Sequence, residues 1–320
     1  MRFALTVSAF VVATALQAQT PGPSAPATPG PSPVKWSGYF QARETYQSDI
    51  GLTSTINRAR VTASGGVAAG LTWRVQGEFR TGNVGTGKAS VSLQDAYIRY
   101  AHGRWAVQAG QYKTPFSREF ITSLADVETA DRATVVDSLA PKRDIGLMGE
   151  LSAGKAATLS LGAFNGEGQN VTANRDSTVL GVGRLVVRPL PLVALGANVA
   201  RYFGDSLRYG FDANYEGPKL TLRAEWIAQS RDAIAADDDR GWYGLAGFFL
   251  ARTVQVVGKY EWFNRPGVAA TQENRAWTGA LNFYPFNNTA TRLLVEYISR
   301  KIGDPGETKG ALLAQAQVKF

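Results

Sequence analysis

From Val34 onward, apolar and polar residues alternate with a period of two, and almost no stretch carries the 3.6-residue repeat of an amphipathic helix. The alternation breaks at turn-forming residues into sixteen segments, centred on residues 36–46, 56–68, 71–81, 91–101, 104–113, 143–152, 156–165, 177–188, 192–203, 207–216, 219–229, 241–251, 253–264, 274–284, 290–300 and 310–320. The last is the plainest. Leu312, Ala314, Ala316, Val318 and Phe320 occupy one phase, and Leu313, Gln315, Gln317 and Lys319 the other.

Connection lengths alternate too. Short turns, such as Ala69-Gly70, His102-Gly103, Pro189-Leu190-Pro191, Gly217-Pro218 and Phe286-Asn287-Asn288, follow the even segments. Longer polar loops, at 82–90, 166–176, 231–240 and 302–309, follow odd ones. An even strand number with short turns at one end and long loops at the other is the pattern of a closed barrel in an outer membrane. The expected fold is therefore all-β, a 16-stranded antiparallel transmembrane β-barrel. Its third outer loop, Thr114 to Lys142, is the longest and carries Phe116, Phe120, Ile121, Leu124, Val127, Val135, Val136 and Leu139. Sixteen strands enclose a water-filled bore, so this loop is expected to fold inward and narrow it; covering a neighbour or a subunit contact is the alternative.

The chain start supports the same compartment. Met1-Arg2, an apolar stretch from Ala4 to Leu16 and Leu16-Gln17-Ala18 read as a secretory signal, residues 1–18, too short to span a membrane. Residues 19–34 hold six of the fourteen prolines and read as an extended periplasmic tether. Residues 35–320 form the barrel domain. No later segment is long and apolar enough for a spanning helix, and the absence of Cys removes disulfides and a lipid anchor on Cys.

Sorting the strands by phase separates two faces. Phe40, Trp73, Phe79, Trp105, Leu159, Leu195, Tyr209, Trp226, Tyr260, Trp262, Trp277, Phe283, Leu293, Val295 and Tyr297 fall on the one expected to meet lipid, with Trp and Tyr near strand ends. The other carries most of the strand charges, including Arg184, Arg188, Arg208, Arg292 and Lys319 against Glu78, Asp144, Glu150, Asp212, Glu225, Glu261 and Glu296. A charge of formal +8, dispersed singly along strands without a basic run, argues against a nucleic-acid partner. The single His, His102, lies in a turn and offers neither a catalytic pair nor a His-based metal site. Gly82 to Lys88 imitates a phosphate-binding loop, but Ala89 replaces the needed hydroxyl and a strand follows instead of a helix. Asp237-Asp238-Asp239 is read as a solvated acidic tip or a site for a divalent cation bridging surface lipopolysaccharide.

Gly110-Gln-Tyr-Lys-Thr-Pro-Phe-Ser117, Arg58-Ala-Arg60, Leu93-Gln-Asp-Ala-Tyr97 and Arg143-Asp-Ile-Gly146 resemble the phosphate-selective porin O and P family, most clearly from about residue 36 to 166. The resemblance implies sixteen-stranded trimeric channels in the bacterial outer membrane, with an inward third loop and a bore whose arginines and lysines hand anions through. On that pattern Arg58 and Arg60 would line the constriction, with Asp95 as acidic counterpart and Arg43 facing them. The wider expected lining comprises Arg74, Arg99, Arg118, Arg223 and Lys259. No cofactor, metal or catalytic residue is expected; the partners are small hydrophilic or anionic solutes, outer-membrane lipid and lipopolysaccharide, and two further copies in a homotrimer. The third loop sets Arg118, Arg132 and Lys142 against five acidic residues and lacks the lysine cluster of phosphate-selective members. Three readings stay open: a channel for small, phosphate-like anions, a non-selective diffusion channel whose wall charges neutralise one another, and a plugged structural or adhesive barrel.

Overall fold

A computed structural model describes residues 30–80, 89–174, 177–231, 238–266, 272–303 and 306–320. The signal region, most of the tether and most of the 82–90 and 231–240 loops lie outside these residues. The acidic tip is described from residue 238 on.

Sixteen strands close into one antiparallel barrel in which each pairs with its neighbours in the chain. They are β1 (Lys35–Gln47), β2 (Gly51–Ala68), β3 (Leu71–Arg80), β4 (Ser90–His102), β5 (Trp105–Lys113), β6 (Arg143–Ala153), β7 (Ala157–Phe164) and β8 (Leu180–Leu190). The second half comprises β9 (Val193–Tyr202), β10 (Ser206–Glu216), β11 (Leu220–Arg231), β12 (Asp239–Ala251), β13 (Val254–Arg265), β14 (Gln272–Phe283), β15 (Thr291–Gly303) and β16 (Gly306–Lys319). The seam pairs β1 with β16 from Tyr39↔Lys319 to Gln47↔Ala311. Gly38 and Phe320 exchange backbone hydrogen bonds at its end, 2.9 and 3.1 Å long.

One expected loop is largely strand among the described residues. Residues 302–309 are mostly strand, with Arg300↔Lys309, Lys301↔Thr308 and Ile302↔Glu307 paired. Their polar character reflects two wet faces beyond the membrane, where a strand needs no apolar phase.

The outward phase carries the apolar band: Phe40, Phe79, Trp105, Leu159, Leu195, Trp277, Phe283, Leu293, Val295 and Tyr297 are all exposed. Tyr260 packs between Trp277 and Trp242 in tilted contacts, at ring separations of 4.4 and 5.3 Å, and so is only half-exposed on the same face. The inward phase is less uniformly polar than its charges suggest. Phe164, Leu180, Val182, Ile227, Tyr243, Leu245 and Phe263 are buried inside the barrel, in one cluster with Phe116, Phe120, Val135, Val136 and Leu139 of the third loop.

That cluster locates the core. The loop leaves β5 and returns to β6, yet its bonds reach β9, β11, β13, β14, β15, β16 and β1, which it can do only by crossing the bore. It forms two short helices, α1 (Arg118–Ile121) and α2 (Thr134–Leu139); α2 contacts β11, β12 and β13. Each large apolar side chain it buries contributes about 1.5–3 kcal/mol before the entropy of ordering the loop is subtracted.

Candidate channel site

The loop's backbone is held by wall side chains. Glu296 of β15 accepts from the Ala130 amide at 2.9 Å, Glu261 of β13 accepts from the Thr134 amide and hydroxyl at 3.3 and 2.8 Å, and Glu225 of β11 accepts from the Glu119 amide at 3.4 Å. In the other sense, Asn282 donates to Glu128 O at 2.9 Å, Gln317 to Ala125 O at 3.0 Å, Arg208 to Leu139 O at 3.0 Å and Arg43 to Ala130 O at 3.1 Å. Ion pairs reinforce this: Arg43 and Arg58 converge on Asp131 at 2.7 and 3.3 Å, and Arg223 meets Glu128 at 3.0 Å. Burial favours the neutral form of Asp131, but the hydrogen bonds and charges of Arg43 and Arg58 prevail and hold its carboxyl below the usual range. Glu119 behaves oppositely. Burial pushes its carboxyl up to about 7, against the Lys259 charge and a hydrogen bond from the Ala133 amide.

Docked on the β9–β16 side, the loop leaves space along the opposite wall. A cavity of about 500 Å³ lies between the loop and β2–β8, and a second of about 970 Å³ lies toward the β8–β9 turn. The two share Ile121, Arg184, Val186 and Arg188 in their linings, so they adjoin along this wall. Among the described lining residues nine are Lys or Arg and four are Asp or Glu.

The basic side chains are held in place by the acidic ones. Arg74 and Arg143 both reach Asp95, at 3.3 and 2.8 Å, Arg99 meets Glu150 at 2.8 Å, and Arg184 meets Asp212 at 2.6 Å. Lys113 donates to the carbonyls of Ile121 and Thr122, at 3.0 and 2.8 Å. Such pairing fixes each head group while the surplus of positive charge remains.

The residues expected from the sequence divide between two places. Arg60, Arg74, Asp95 and Arg99 line the first cavity and Arg118 the second. Arg60 is buried and bonded to Glu78. Arg43 and Arg58 meet each other through Asp131, not Arg60, and Arg223 is engaged with Glu128. Arg43 and Lys259 border a separate pocket of about 340 Å³ on the other side of the loop. Asp239 is buried against Arg231 and Arg265. It is thus a guanidinium partner, not part of a solvated tip.

Sequence reading gave no role to Lys113 and Arg143 because alternation fails there. Gly110 has φ +126°, and a Cβ on it would lie 2.2 Å from Ala96 O. That conformation favours glycine, and just after it the in-out alternation of β5 stops, with the adjacent Gln111 and Tyr112 both buried. Gly110 was itself visible within the Gly110–Ser117 motif, and was the signal available.

Residues 36–191 match the model of the family described as phosphate-selective porin O and P. Over this stretch the chain belongs to the phosphate-selective porin O and P family. No curated protein matches it. Among solved structures, the anion-selective porin from Comamonas acidovorans is similar at 14% identity and a TM-score of 0.68, covering 91% of this chain and 100% of its own. The outer-membrane channel DcaP of Acinetobacter baumannii is similar at 13% identity and 0.66, covering 91% and 98%. The trimer form of in-vitro folded OmpT from Vibrio cholerae is similar at 9% identity and 0.68, covering 91% and 100%. At these identities the likeness shows the shared barrel. Family and fold together point to an outer-membrane channel. In barrels of this class the short turns are periplasmic.

Proposed function

We propose that this porin passes small anions passively, phosphate among them, through the passage between the third loop and β2–β8. The surplus of cationic over acidic side chains along that passage carries the reading. In a narrow aqueous bore such a surplus raises the local concentration of anions and repels cations. The Comamonas acidovorans neighbour is named as anion-selective, and the same preference is proposed here. A homotrimer, as in the OmpT trimer form, a cleaved signal at 1–18 and a periplasmic tether at 19–34 complete the proposal, with outer-membrane lipid and lipopolysaccharide around the barrel.

The test is the reversal potential of purified protein in a planar bilayer under a potassium chloride gradient. Anion preference is expected, and it should weaken in Arg99→Ala and Arg143→Ala. A non-selective channel is the second reading, supported by the pairing of Arg74 with Asp95 and of Arg99 with Glu150. It requires a reversal potential near zero, and cation preference would sink the basic-passage reading.

A further inference from the structure

The junction of the two cavities is not wholly polar. Ile121 is 42% exposed, although Phe116, Phe120, Val135 and Leu139 of the same loop are buried against the wall. It belongs to the linings of both cavities, as does Val186, which stands between Arg184 and Arg188 on the inward phase of β8. Pro115 of the loop and Met148 of β6, both largely buried, also border the first cavity. Ile121 and Val186 thus present apolar surface to the water of the passage.

The cations nearby are poorly suited to strip a strongly hydrated anion. Arg184 is committed to Asp212, Arg99 to Glu150, and Arg74 with Arg143 to Asp95. The guanidinium of Arg188 has neither ion pair nor hydrogen bond among the described residues, and it is exposed at the junction. Inorganic phosphate entering here would exchange its water for donors mostly engaged elsewhere, a poor return for its desolvation. A monocarboxylate needs few donors. Its hydrocarbon body can leave water against Ile121 and Val186, which is favourable for each methylene covered.

We infer that the passage favours organic monocarboxylates with an apolar body over inorganic phosphate, Ile121 and Val186 forming an apolar neck and Arg188 a cation beside it that has no ion pair among the described residues. This rests on the proposed anion preference, which the potassium chloride gradient tests separately.

Bi-ionic reversal potentials of the full-length porin, with potassium acetate, hexanoate or phosphate opposite potassium chloride, provide the measurement. Hexanoate should exceed acetate by about threefold relative to the ratio of their free-solution mobilities, a fraction of the gain for full burial of its extra methylenes. Phosphate should fall below both. A hexanoate-to-acetate ratio no greater than the mobilities dictate, or phosphate above hexanoate, overturns the inference while leaving anion preference intact; cation preference in potassium chloride removes the reading beneath it. Ile121→Ser and, independently on the wall, Val186→Ser should each lower the hexanoate-to-acetate ratio about twofold. A ratio unmoved in both takes the neck away.

Discussion

Glu78 lies between two guanidinium groups of unequal standing: Arg60 is buried at 5% exposure, whereas Arg80 is 60% exposed. Removing the carboxylate strands a buried charge, so Glu78→Gln should destabilise the barrel by about 3–5 kcal/mol. Arg80→Ala should cost less than about 1 kcal/mol, because its side of the pair is screened by water. Urea midpoints of the micelle-refolded protein would separate these values, and equal effects would place Arg80 in the buried network. Glu119 gives a pH dependence. Its folded-state carboxyl titrates near 7 against 4.5 for the ordinary group, so the folded porin holds the proton more tightly than the unfolded chain. Its contribution is therefore intact below about pH 4.5, is lost as pH rises toward 7, and changes no further above that. The decline is on the order of a few kcal/mol. Glu119→Gln should flatten it, as read from urea midpoints at pH 5 and 8; an identical slope in the variant would assign the effect to other groups.

At the scale of elements, alternation located nearly every strand because each has one face in lipid and one in the bore, and a period of two is the only register that serves both. Strand ends were less legible. Beyond the membrane both faces are wet, so the 302–309 stretch carries no apolar phase, although it is largely strand. The inward apolar residues were hidden for a different reason. Ile227 and Phe263 look misplaced in a polar bore until Val135 and Leu139 of the third loop arrive from far along the chain to cover them. The passage was half legible: Arg74, Asp95 and Arg99 follow from strand phase, whereas Lys113 and Arg143 end β5 and begin β6 beside the third loop, where phase no longer assigns a face. Gly110→Ala should therefore do more than destabilise. With a Cβ 2.2 Å from Ala96 O at φ +126°, β5 must shift away from β4, at a cost of about 1–3 kcal/mol. The expected result is a lower urea midpoint together with weaker anion preference; normal stability with normal selectivity would show that this backbone conformation is tolerated with a side chain present.

On the scale of the whole molecule, closure depends on the first and last strands meeting, and the Gly38–Phe320 exchange ends the β1–β16 ladder. Deleting Phe320 removes both bonds and an exposed ring at the lipid boundary. A slower approach to the heat-resistant folded form on gels is expected, and an unchanged folding rate would shift the weight of closure to the ladder above. The manner in which the wall grips the third loop has a consequence of another kind. Glu225, Glu261, Glu296, Asn282, Gln317 and Arg208 all address backbone amides or carbonyls of the loop, groups that every residue except proline supplies alike. The barrel thus recognises the path of that segment more than its spelling. Side chains on the loop's open flank, Ile121 and Ser123 among them, can be exchanged while the segment stays seated. Inheritance and engineering alike can then revise which solutes cross without renegotiating the architecture that carries them.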